Sequence, residues 1–354
     1  MAVQSIFKTW KYVIFVGVIF FMHFDIKAQD KKIAIQGYGE FYYSYDFARP
    51  ENHQKPSFIY NHKRHNELST NLLLLKVIYN EDNLRANLGV MAGNYAQYNM
   101  SAEPTWGQFI YEANMGVKLS KQKNIWLDAG IMPSHIGFES AIGADCWTLT
   151  RSLVAENSPY YETGLKIGYT SPNQKLNVGL MALNGWQRIQ RPEGIQKPSF
   201  GMQVNYKPSS RLLFNYSNFV GSDKADFLNS WRIYHNIYAI YDAPKWGFIA
   251  GFDLGSDKYN VNKYGYWLTP VLISKLTISE KFKVAVRTEY FNDKNQIIIA
   301  DTPQLWGLST NFDYQIHPKC LWRLEVKQLW AKGDVFSNNS TQNTTLTTAL
   351  IFRL

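Results

Sequence analysis

Cysteine and long apolar runs are both scarce in this chain of 354 residues. Cys146 and Cys320 are the two cysteines, and their wide spacing fits no disulfide framework, so a bridge between them is not implied. Beyond about Gln29, no apolar run approaches the roughly 20 residues that a membrane-spanning helix needs. If the chain crosses a membrane, it must do so with β-strands, because only helices and closed barrels satisfy every backbone hydrogen bond in lipid.

The motifs of several enzyme and cofactor classes are also missing. There is no Gly-x-Ser-x-Gly elbow, calcium-loop spacing or glycine-rich phosphate cradle. His235 and His317 stand alone, without the spacing of metal ligands. Ser134, His135 and Glu139 are close in sequence, but neighbouring residues rarely form a catalytic triad. We therefore expect no enzyme, metal or cofactor, with a membrane hydrolase that uses His135 as a rival interpretation.

The N-terminus has the three parts of a secretory signal peptide. Lys8 and Lys11 precede a thirteen-residue apolar run at 12–24, and Ala28 lies at the expected cleavage point. The run is too short to span a bilayer as a helix, and no cysteine follows it to anchor a lipoprotein. We expect two segments, a signal peptide of residues 1–28 and a single barrel domain of residues 29–354.

Residues 281–291 alternate between apolar and charged side chains. Phe282, Val284, Val286 and Tyr290 have one parity, and Lys283, Arg287 and Glu289 have the other. A strand directs alternate side chains to opposite faces, so this strand has one apolar and one charged face. Similar alternation recurs at residues 35–46, 84–95, 109–119, 161–169, 306–314 and 322–330. Runs of about ten residues are long enough to cross a bilayer when tilted. Pro270, inside another such run, predicts a bulge.

Short polar turns divide the chain at regular intervals. They lie at residues 80–83, 121–124, 171–174, 207–210, 243–245, 279–281 and 317–319. Longer polar segments alternate with these turns, which is the organisation of a transmembrane β-barrel. We predict an all-β fold, an antiparallel transmembrane β-barrel of about sixteen strands, or fourteen if two weak strands are absent. A soluble all-β protein is the alternative, because alternation alone does not say which face is inside.

Composition and charge agree with a barrel that crosses a membrane. Aromatic residues make up 16% of the chain, with 23 Tyr and 11 Trp, as aromatic girdles at the two bilayer surfaces require. The formal net charge is +9 and falls to +7 without residues 1–28. This excess predicts either a weak preference for anions or simple solubility. It is spread along the chain, which argues against nucleic-acid binding.

Charged residues on the polar parity of the strands are expected to line the lumen. They are Arg85, Glu112, Lys118, Glu162, Lys166, Arg232, Lys283, Arg287, Glu289, Arg323, Glu325 and Lys327. A sixteen-stranded barrel is too wide for side chains to fill, so we expect a water-filled channel inside it.

The longest segment without strand pattern covers residues 133–159 and forms the third long loop. We expect it to fold into the barrel as a constriction, with Glu139, Asp145 and Glu156 facing Arg151, and to include a short helix within residues 141–155. Transverse charges at a narrowing would sort solutes by charge. An exposed loop that covers the barrel end is the alternative. In the fourth long loop, Trp186, Arg188 and Arg191 suit an anionic or sugar group, or the phosphates of surface glycolipid, unless they are simply solvated.

Several segments together resemble one protein family. They are residues 60–67, 124–140, 145–152, 155–162 and 183–190. In them the chain resembles the β-barrel porin-2 family of OmpL-like outer-membrane porins. The resemblance implies an outer-membrane barrel with a pore, and it carries over no catalytic residue.

We therefore expect an outer-membrane porin through which small hydrophilic solutes or ions diffuse passively. The main alternative is a barrel without an open pore that acts in adhesion, envelope structure or ligand binding. Expected partners are outer-membrane lipids and glycolipid, the transported solutes, and the barrel assembly machinery, which would read the C-terminal strand with Phe352 and Leu354. The sequence does not decide whether the chain forms a homo-oligomer, and we expect no nucleic-acid partner.

Overall fold

The computed structural model describes residues 32–260 and 263–354. This part of the chain contains sixteen β-strands. The strands are β1 (Ile33–Asp46), β2 (Leu68–Asn80), β3 (Leu84–Ala92), β4 (Ile110–Lys118), β5 (Asn124–Pro133), β6 (Tyr161–Thr170), β7 (Leu176–Leu183), β8 (Ser199–Ser209), β9 (Leu212–Gly221), β10 (Arg232–Asp242), β11 (Trp246–Asn260), β12 (Lys263–Thr277), β13 (Phe282–Asn292), β14 (Gln304–His317), β15 (Cys320–Ala331) and β16 (Gln342–Arg353). Each strand pairs with its neighbours in the chain, and β1 pairs antiparallel with β16 to close the barrel. The prediction of sixteen strands is confirmed. The predicted signal peptide of residues 1–28 lies outside the described residues.

Long loops connect the strands at one end of the barrel and short turns at the other. The long loops are L1 (47–67), L2 (93–109), L3 (134–160), L4 (184–198), L5 (222–231), L7 (293–303) and L8 (332–341). The sixth connection, between Asn260 and Lys263, consists of the two residues outside the description. L2 contains the short helix α1 (Asn94–Asn99) and L3 contains α2 (Leu153–Glu156). No helix in the described ranges is long and apolar enough to cross a membrane.

The alternation in β13 shows why the strands form a barrel with an apolar exterior. Val286 is exposed on the outer surface, whereas Arg287 and Glu289 are buried inside. A soluble sandwich would bury the apolar face and expose the charged one. The observed orientation is the opposite, so the alternative of a soluble all-β protein is excluded. The same parity holds on β1, where Phe41 points outward and Glu40 and Ser44 are buried.

Pro270 does not produce the predicted bulge, which was wrong. It lies opposite Phe252, and the register between β11 and β12 runs through it without a shift. On the other side, the register with β13 continues from Leu268 to Val271 across the proline. The irregularity in this hairpin lies instead between Lys258 and Asn260.

Apolar side chains also pack inside the barrel near the long-loop end. Phe58 of L1 and Leu153 of L3 belong to one buried cluster with Phe219, Tyr234 and Trp267 of the wall. These wall residues share the inner parity of their strands. The interior at this level is therefore partly filled by loop side chains packed against the wall, so L1 and L3 are part of the folded core.

Candidate functional site

L3 spans the lumen from one wall to the opposite wall. It leaves β5 and returns to β6, but its middle hydrogen-bonds to β13, β14 and β15. In a closed ring of sixteen strands, β14 is eight positions from β6 and therefore lies across the barrel. L3 is thus an internal loop, and the alternative of an exposed covering loop is excluded.

Buried charges on β13 and β15 hold the far end of L3. Arg287 donates to the carbonyl oxygen of Thr150 at 2.6 Å and is paired with Glu325 at 3.0 Å. Glu325 in turn accepts the backbone N–H of Thr150 at 2.6 Å, and Glu289 accepts that of Leu153 at 2.5 Å. All three charged side chains are buried. Removing one member of a buried network leaves the others unpaired, which typically costs about 3–5 kcal/mol.

Arg323 forms a second anchor, toward the short-turn end. Its guanidinium pairs with Asp313 at 2.7 Å and donates to the carbonyl oxygens of Gly143 and Cys146 at 2.8 and 3.1 Å. The 3-10 turn Gly143–Asp145 brings these carbonyls to the wall. A planar guanidinium suits this role because its fork of donors serves several acceptors at once.

The predicted constriction residue Arg151 is directed into its own loop, and its role at a constriction stays a prediction. Its side chain is fully buried, and its guanidinium donates to the carbonyls of Ser140, Ala141 and Leu149 in the same loop, at 2.8 to 3.1 Å. Arg151 therefore satisfies the backbone of L3 and fixes its shape. The arginines that contact L3 from the barrel wall are Arg287 of β13 and Arg323 of β15.

The three acids predicted at the constriction occupy separate places. Glu139 accepts the N–H of Ser152 at 3.0 Å and its hydroxyl, which fixes the start of α2. Asp145 is about half exposed and pairs with Arg353 at 2.6 Å. Glu156 is buried at the end of α2. The short helix expected within residues 141–155 is present only from Leu153 onward.

L1 is a second internal loop, which the sequence interpretation missed. Glu156 of L3 accepts hydrogen bonds from the backbone N–H groups of Tyr60 and Asn61 at 2.8 and 3.1 Å, and from the Asn61 side chain at 3.1 Å. Burial raises the pKa of Glu156, and these donors offset part of that effect. We call this contact the L1–L3 clasp. It makes two loops from different parts of the chain one internal unit.

Buried polar contacts also tie L1 to the wall. His62 pairs with Glu40 of β1 at 2.8 Å, and both side chains are inaccessible to solvent. Burial lowers the pKa of His62, although Glu40 opposes the shift. Lys55 reaches Thr347 of β16 at 3.4 Å, and burial lowers the pKa of its ammonium to about 8. The apolar pair Phe58-Ile59 within a polar loop was the one sequence signal for this burial.

No reactive centre forms around His135. Its Nδ1 lies 2.6 Å from Glu162, and its Nε2 lies 2.7 Å from the carbonyl oxygen of Asn218, so neither nitrogen is free to activate a hydroxyl. Burial lowers the pKa of His135, but the Glu162 carboxylate and the carbonyl outweigh it and raise the pKa above its ordinary value. In the described ranges, no group of three or more His, Cys, Asp and Glu residues is placed to hold a metal.

The other predicted lumen charges lie on the inner parity, and most have partners that we did not predict. Arg85 pairs with Asp128 at 2.5 Å, Glu112 with Lys76 at 2.6 Å, and Arg232 with Asp223 and Asp257 at 3.0 and 2.9 Å. Lys118 and Lys166 are half-buried, and Lys283 is exposed near the turns. The inner parity of β5 and β11 was the available signal for Asp128 and Asp257.

Two cavities lie at different ends of the barrel. The outer vestibule, at the long-loop end, has a volume of about 330 Å³ and is lined by residues of α1 and of L1, L2, L3, L4, L5 and L7. The turn-end cavity measures about 280 Å³ and is lined by Trp147 of L3, by Lys275 and Lys283 of the wall, and by Lys281 of the turn between β12 and β13. The two cavities share no lining residue. L3 contributes lining residues to both cavities.

Comparison with known proteins agrees with this architecture. The anion-selective porin from Comamonas acidovorans has a TM-score of 0.60 at 10% identity, over 91% of this chain and 99% of that one. The outer membrane channel DcaP of Acinetobacter baumannii gives 0.61 at 10% identity, over 91% and 97%. OmpT of Vibrio cholerae gives 0.61 at 10% identity, over 92% and 99%. No curated protein matches the chain.

The solved structures share the fold of this chain, and the family follows from a separate comparison. The family described as "Putative beta-barrel porin-2, OmpL-like" matches residues 32–354, which is nearly the whole described barrel. The chain therefore belongs to the β-barrel porin-2 family and is an OmpL-like porin of the outer membrane.

Proposed function

We propose that this porin allows small hydrophilic solutes and ions to diffuse passively through its lumen. The observation that carries the proposal is the inverted barrel, with apolar side chains outside and charged side chains on the inner wall. Cavities at both ends of the lumen give solutes access from either side of L3. L1 and L3 would set the size limit, because both occupy the interior between the cavities.

A weak preference for anions is part of the proposal. In the turn-end cavity, Lys275 is paired with Asp242 at 2.8 Å. Lys281 and Lys283 form no ion pair with any described residue, and among the described acids that line the cavity Glu280 alone is likewise unpaired, which leaves an excess of one cation. Unpaired cations at a mouth raise the local concentration of anions. One structural neighbour is described as anion-selective, which supports the direction for this chain without establishing it.

A second candidate function is a barrel closed by its internal loops, acting in ligand binding, adhesion or envelope structure. The observation in its favour is that Arg287 and Arg323, which anchor L3, are completely buried. A loop held by buried charge networks moves only if several hydrogen bonds break together. In either case the fold is that of a non-enzymatic channel family, and we propose no catalytic role for His135.

Recording from the purified protein in a planar bilayer distinguishes the two functions. Steps of reproducible conductance, with a reversal potential displaced in a salt gradient, are the result expected for a diffusion pore. Heat-modifiable mobility on a denaturing gel serves as the control that the barrel is folded. Silence from verified folded barrel would contradict the diffusion function and favour the closed barrel.

Lipids, glycolipid and the barrel assembly machinery are proposed partners of the outer surface and of β16. Phe352 of β16 and Leu354, which follows this strand, are exposed apolar residues that such partners could contact. OmpT of Vibrio cholerae has been solved in a trimer form, and we propose a homo-oligomer here as well. Light scattering of the detergent-solubilised protein, with the detergent mass subtracted, tests this. A protein mass equal to one chain would contradict it.

A further inference from the structure

Among the described residues that line the outer vestibule, one cation has no partner. Arg188 of L4 lines this cavity, and its guanidinium has no carboxylate of the described residues within 4.0 Å. Its buried Nε atom donates no hydrogen bond. The other lining cation, Arg232, is held by Asp223 and Asp257. Arg188 is therefore a charged donor with its capacity unused.

A second donor in the same cavity is also without a partner. The side chain of Asn99, at the end of α1, is 6% exposed, and its Nδ2 makes no hydrogen bond. Leaving a buried donor unsatisfied costs about 1–3 kcal/mol, so such groups commonly mark a place that a ligand or water completes. The vestibule thus has a free guanidinium and a free amide on its lining.

The acids of the vestibule are already engaged. Glu156 accepts the three hydrogen bonds of the L1–L3 clasp. Asp223 accepts the backbone N–H of Trp186 at 3.1 Å and pairs with Arg232. Neither acid can turn to Arg188 without giving up these contacts. An external anion is therefore the natural complement of Arg188.

The backbone around Arg188 is held in place. The N–H of Trp186 binds Asp223, and Gln187 accepts the backbone N–H of Tyr160 at 2.8 Å while donating to the carbonyl of Asn99 at 3.3 Å. These contacts fix the two residues that precede Arg188 against L3, L5 and α1. A preorganised donor loses less entropy on binding than an arginine on a free loop.

Aromatic side chains make up much of the remaining wall. Tyr60, Tyr98, Tyr161 and Trp186 line the cavity, together with apolar side chains of L7. We infer that the outer vestibule is a binding site for a small organic carboxylate that carries one ring, with Arg188 and Asn99 taking the carboxylate and the aromatic wall taking the ring. A volume of about 330 Å³ is at the small end of ligand cavities, which suits one ring. The inference deepens the proposed function and rests on it only for the passage of the solute.

Ligand-observed saturation-transfer NMR with the folded protein in detergent tests the site without requiring conduction. Benzoate is the probe, and benzyl alcohol is the neutral control of the same size. We expect benzoate to bind better than benzyl alcohol, and Arg188→Gln to weaken benzoate about tenfold or more, since it removes a charge-assisted donor pair. Asn99→Ala is expected to weaken binding to a smaller extent.

Arg191→Gln is the matched control. The sequence suggested Arg191 together with Arg188, but Arg191 does not line the vestibule and donates to the carbonyls of Asn184 and Gln196. It should leave benzoate binding unchanged. Equal binding by wild type and Arg188→Gln, or by benzoate and benzyl alcohol, would overturn the inference.

Bilayer recording separates failure of the site from failure of the proposed function. If the pore conducts, benzoate added at the long-loop side should reduce the current in wild type and less so in Arg188→Gln. Benzoate binding that depends on Arg188 in a silent barrel upholds the site and contradicts diffusion. Conduction with no binding that depends on Arg188 upholds diffusion and contradicts the site.

Discussion

The L1–L3 clasp predicts that one carboxylate controls the docking of two internal loops. Glu156→Ala removes the acceptor of three hydrogen bonds and leaves the backbone N–H groups of Tyr60 and Asn61 without partners. Each unsatisfied buried donor costs about 1–3 kcal/mol. Water from the adjoining vestibule will satisfy some of these donors, so we expect about 3 kcal/mol in total. That value corresponds to a roughly hundredfold larger population of undocked L1.

Hydrogen–deuterium exchange measures this population at the amides that lose their acceptor. Protection of Tyr60 and Asn61 should fall about a hundredfold in Glu156→Ala, because exchange reports local opening. Glu156→Gln keeps one carbonyl acceptor and loses the charge, so it should lower protection only about fivefold. Amides of β13 should remain protected in both variants, since the barrel wall does not depend on the clasp.

Glu51→Ala is the matched control. Glu51 is an exposed acid on L1, so its removal should change neither amide. Unchanged protection of Tyr60 and Asn61 in Glu156→Ala would refute the reasoning. An equal loss of protection in Glu156→Gln and Glu156→Ala would also refute it, because the carbonyl acceptor that the Gln variant retains would then have no effect.

Three further measurements follow from the same geometry. Burial lowers the pKa of Lys55 from its ordinary value of 10.5 to about 8. The charge of Lys327 acts in the same direction, and the nearby carboxylates of Asp46, Glu156 and Glu325 oppose the shift. Docking of L1 therefore releases a proton between these pH values, so docking should strengthen as pH rises from 8 to 10.5 and stay level below 8. Current fluctuations of the pore should decrease over that range in wild type. Lys55→Met should reduce this dependence and leave a remainder, because burial also lowers the pKa of Lys63 in L1 to about 8; the same dependence in both would contradict the role of Lys55. Lys283→Gln should shift the reversal potential toward cations with little change in conductance, because Lys283 is exposed and holds no loop; an unchanged potential would exclude it as a selectivity residue. Burial raises the pKa of Cys146 to about 11, so at pH 8 a maleimide should label the half-buried Cys320 faster than Cys146, and equal rates would contradict the burial of L3.

The barrel is predictable from the sequence because its rule is local and repeated. Each strand states its own orientation by alternation, as β13 does with Val286 against Arg287, and this needs no knowledge of the neighbours. The number of short polar turns then gives the number of strands. Pro270 misled because a missing donor matters only on the side where the ladder uses it, and the pairing partner cannot be read from one strand.

The interior was less predictable because loop paths depend on contacts between distant segments. Arg151 has the composition of a pore cation, but its donors are used by carbonyls of its own loop, which only the folded path of L3 reveals. Arg287 lies on the inner face of β13, and its role as a loop anchor depends on Thr150, which L3 brings from the opposite wall. L1 was missed for the same reason, since its contacts with Glu40 and Glu156 join segments far apart in sequence.

The pairing of β1 with β16 has a consequence for how the molecule forms. Ser44 and Thr347, which meet across this junction at 2.7 Å, are separated by 303 positions in the chain. Contacts between such distant positions form slowly, because the ends of a long chain must find each other before any contact rewards them. The ring is complete only when β16 pairs with β1, and until then both edge strands can pair with other chains.

L1 and L3 must also enter the interior while the barrel closes. Their partners lie on β15 and on β16, the strand that closes the ring, so the loops can complete their contacts only as the ring closes. Barrel closure and loop docking are therefore expected to be one slow kinetic event, with a half-formed barrel that exposes both the junction and the charges meant for L3.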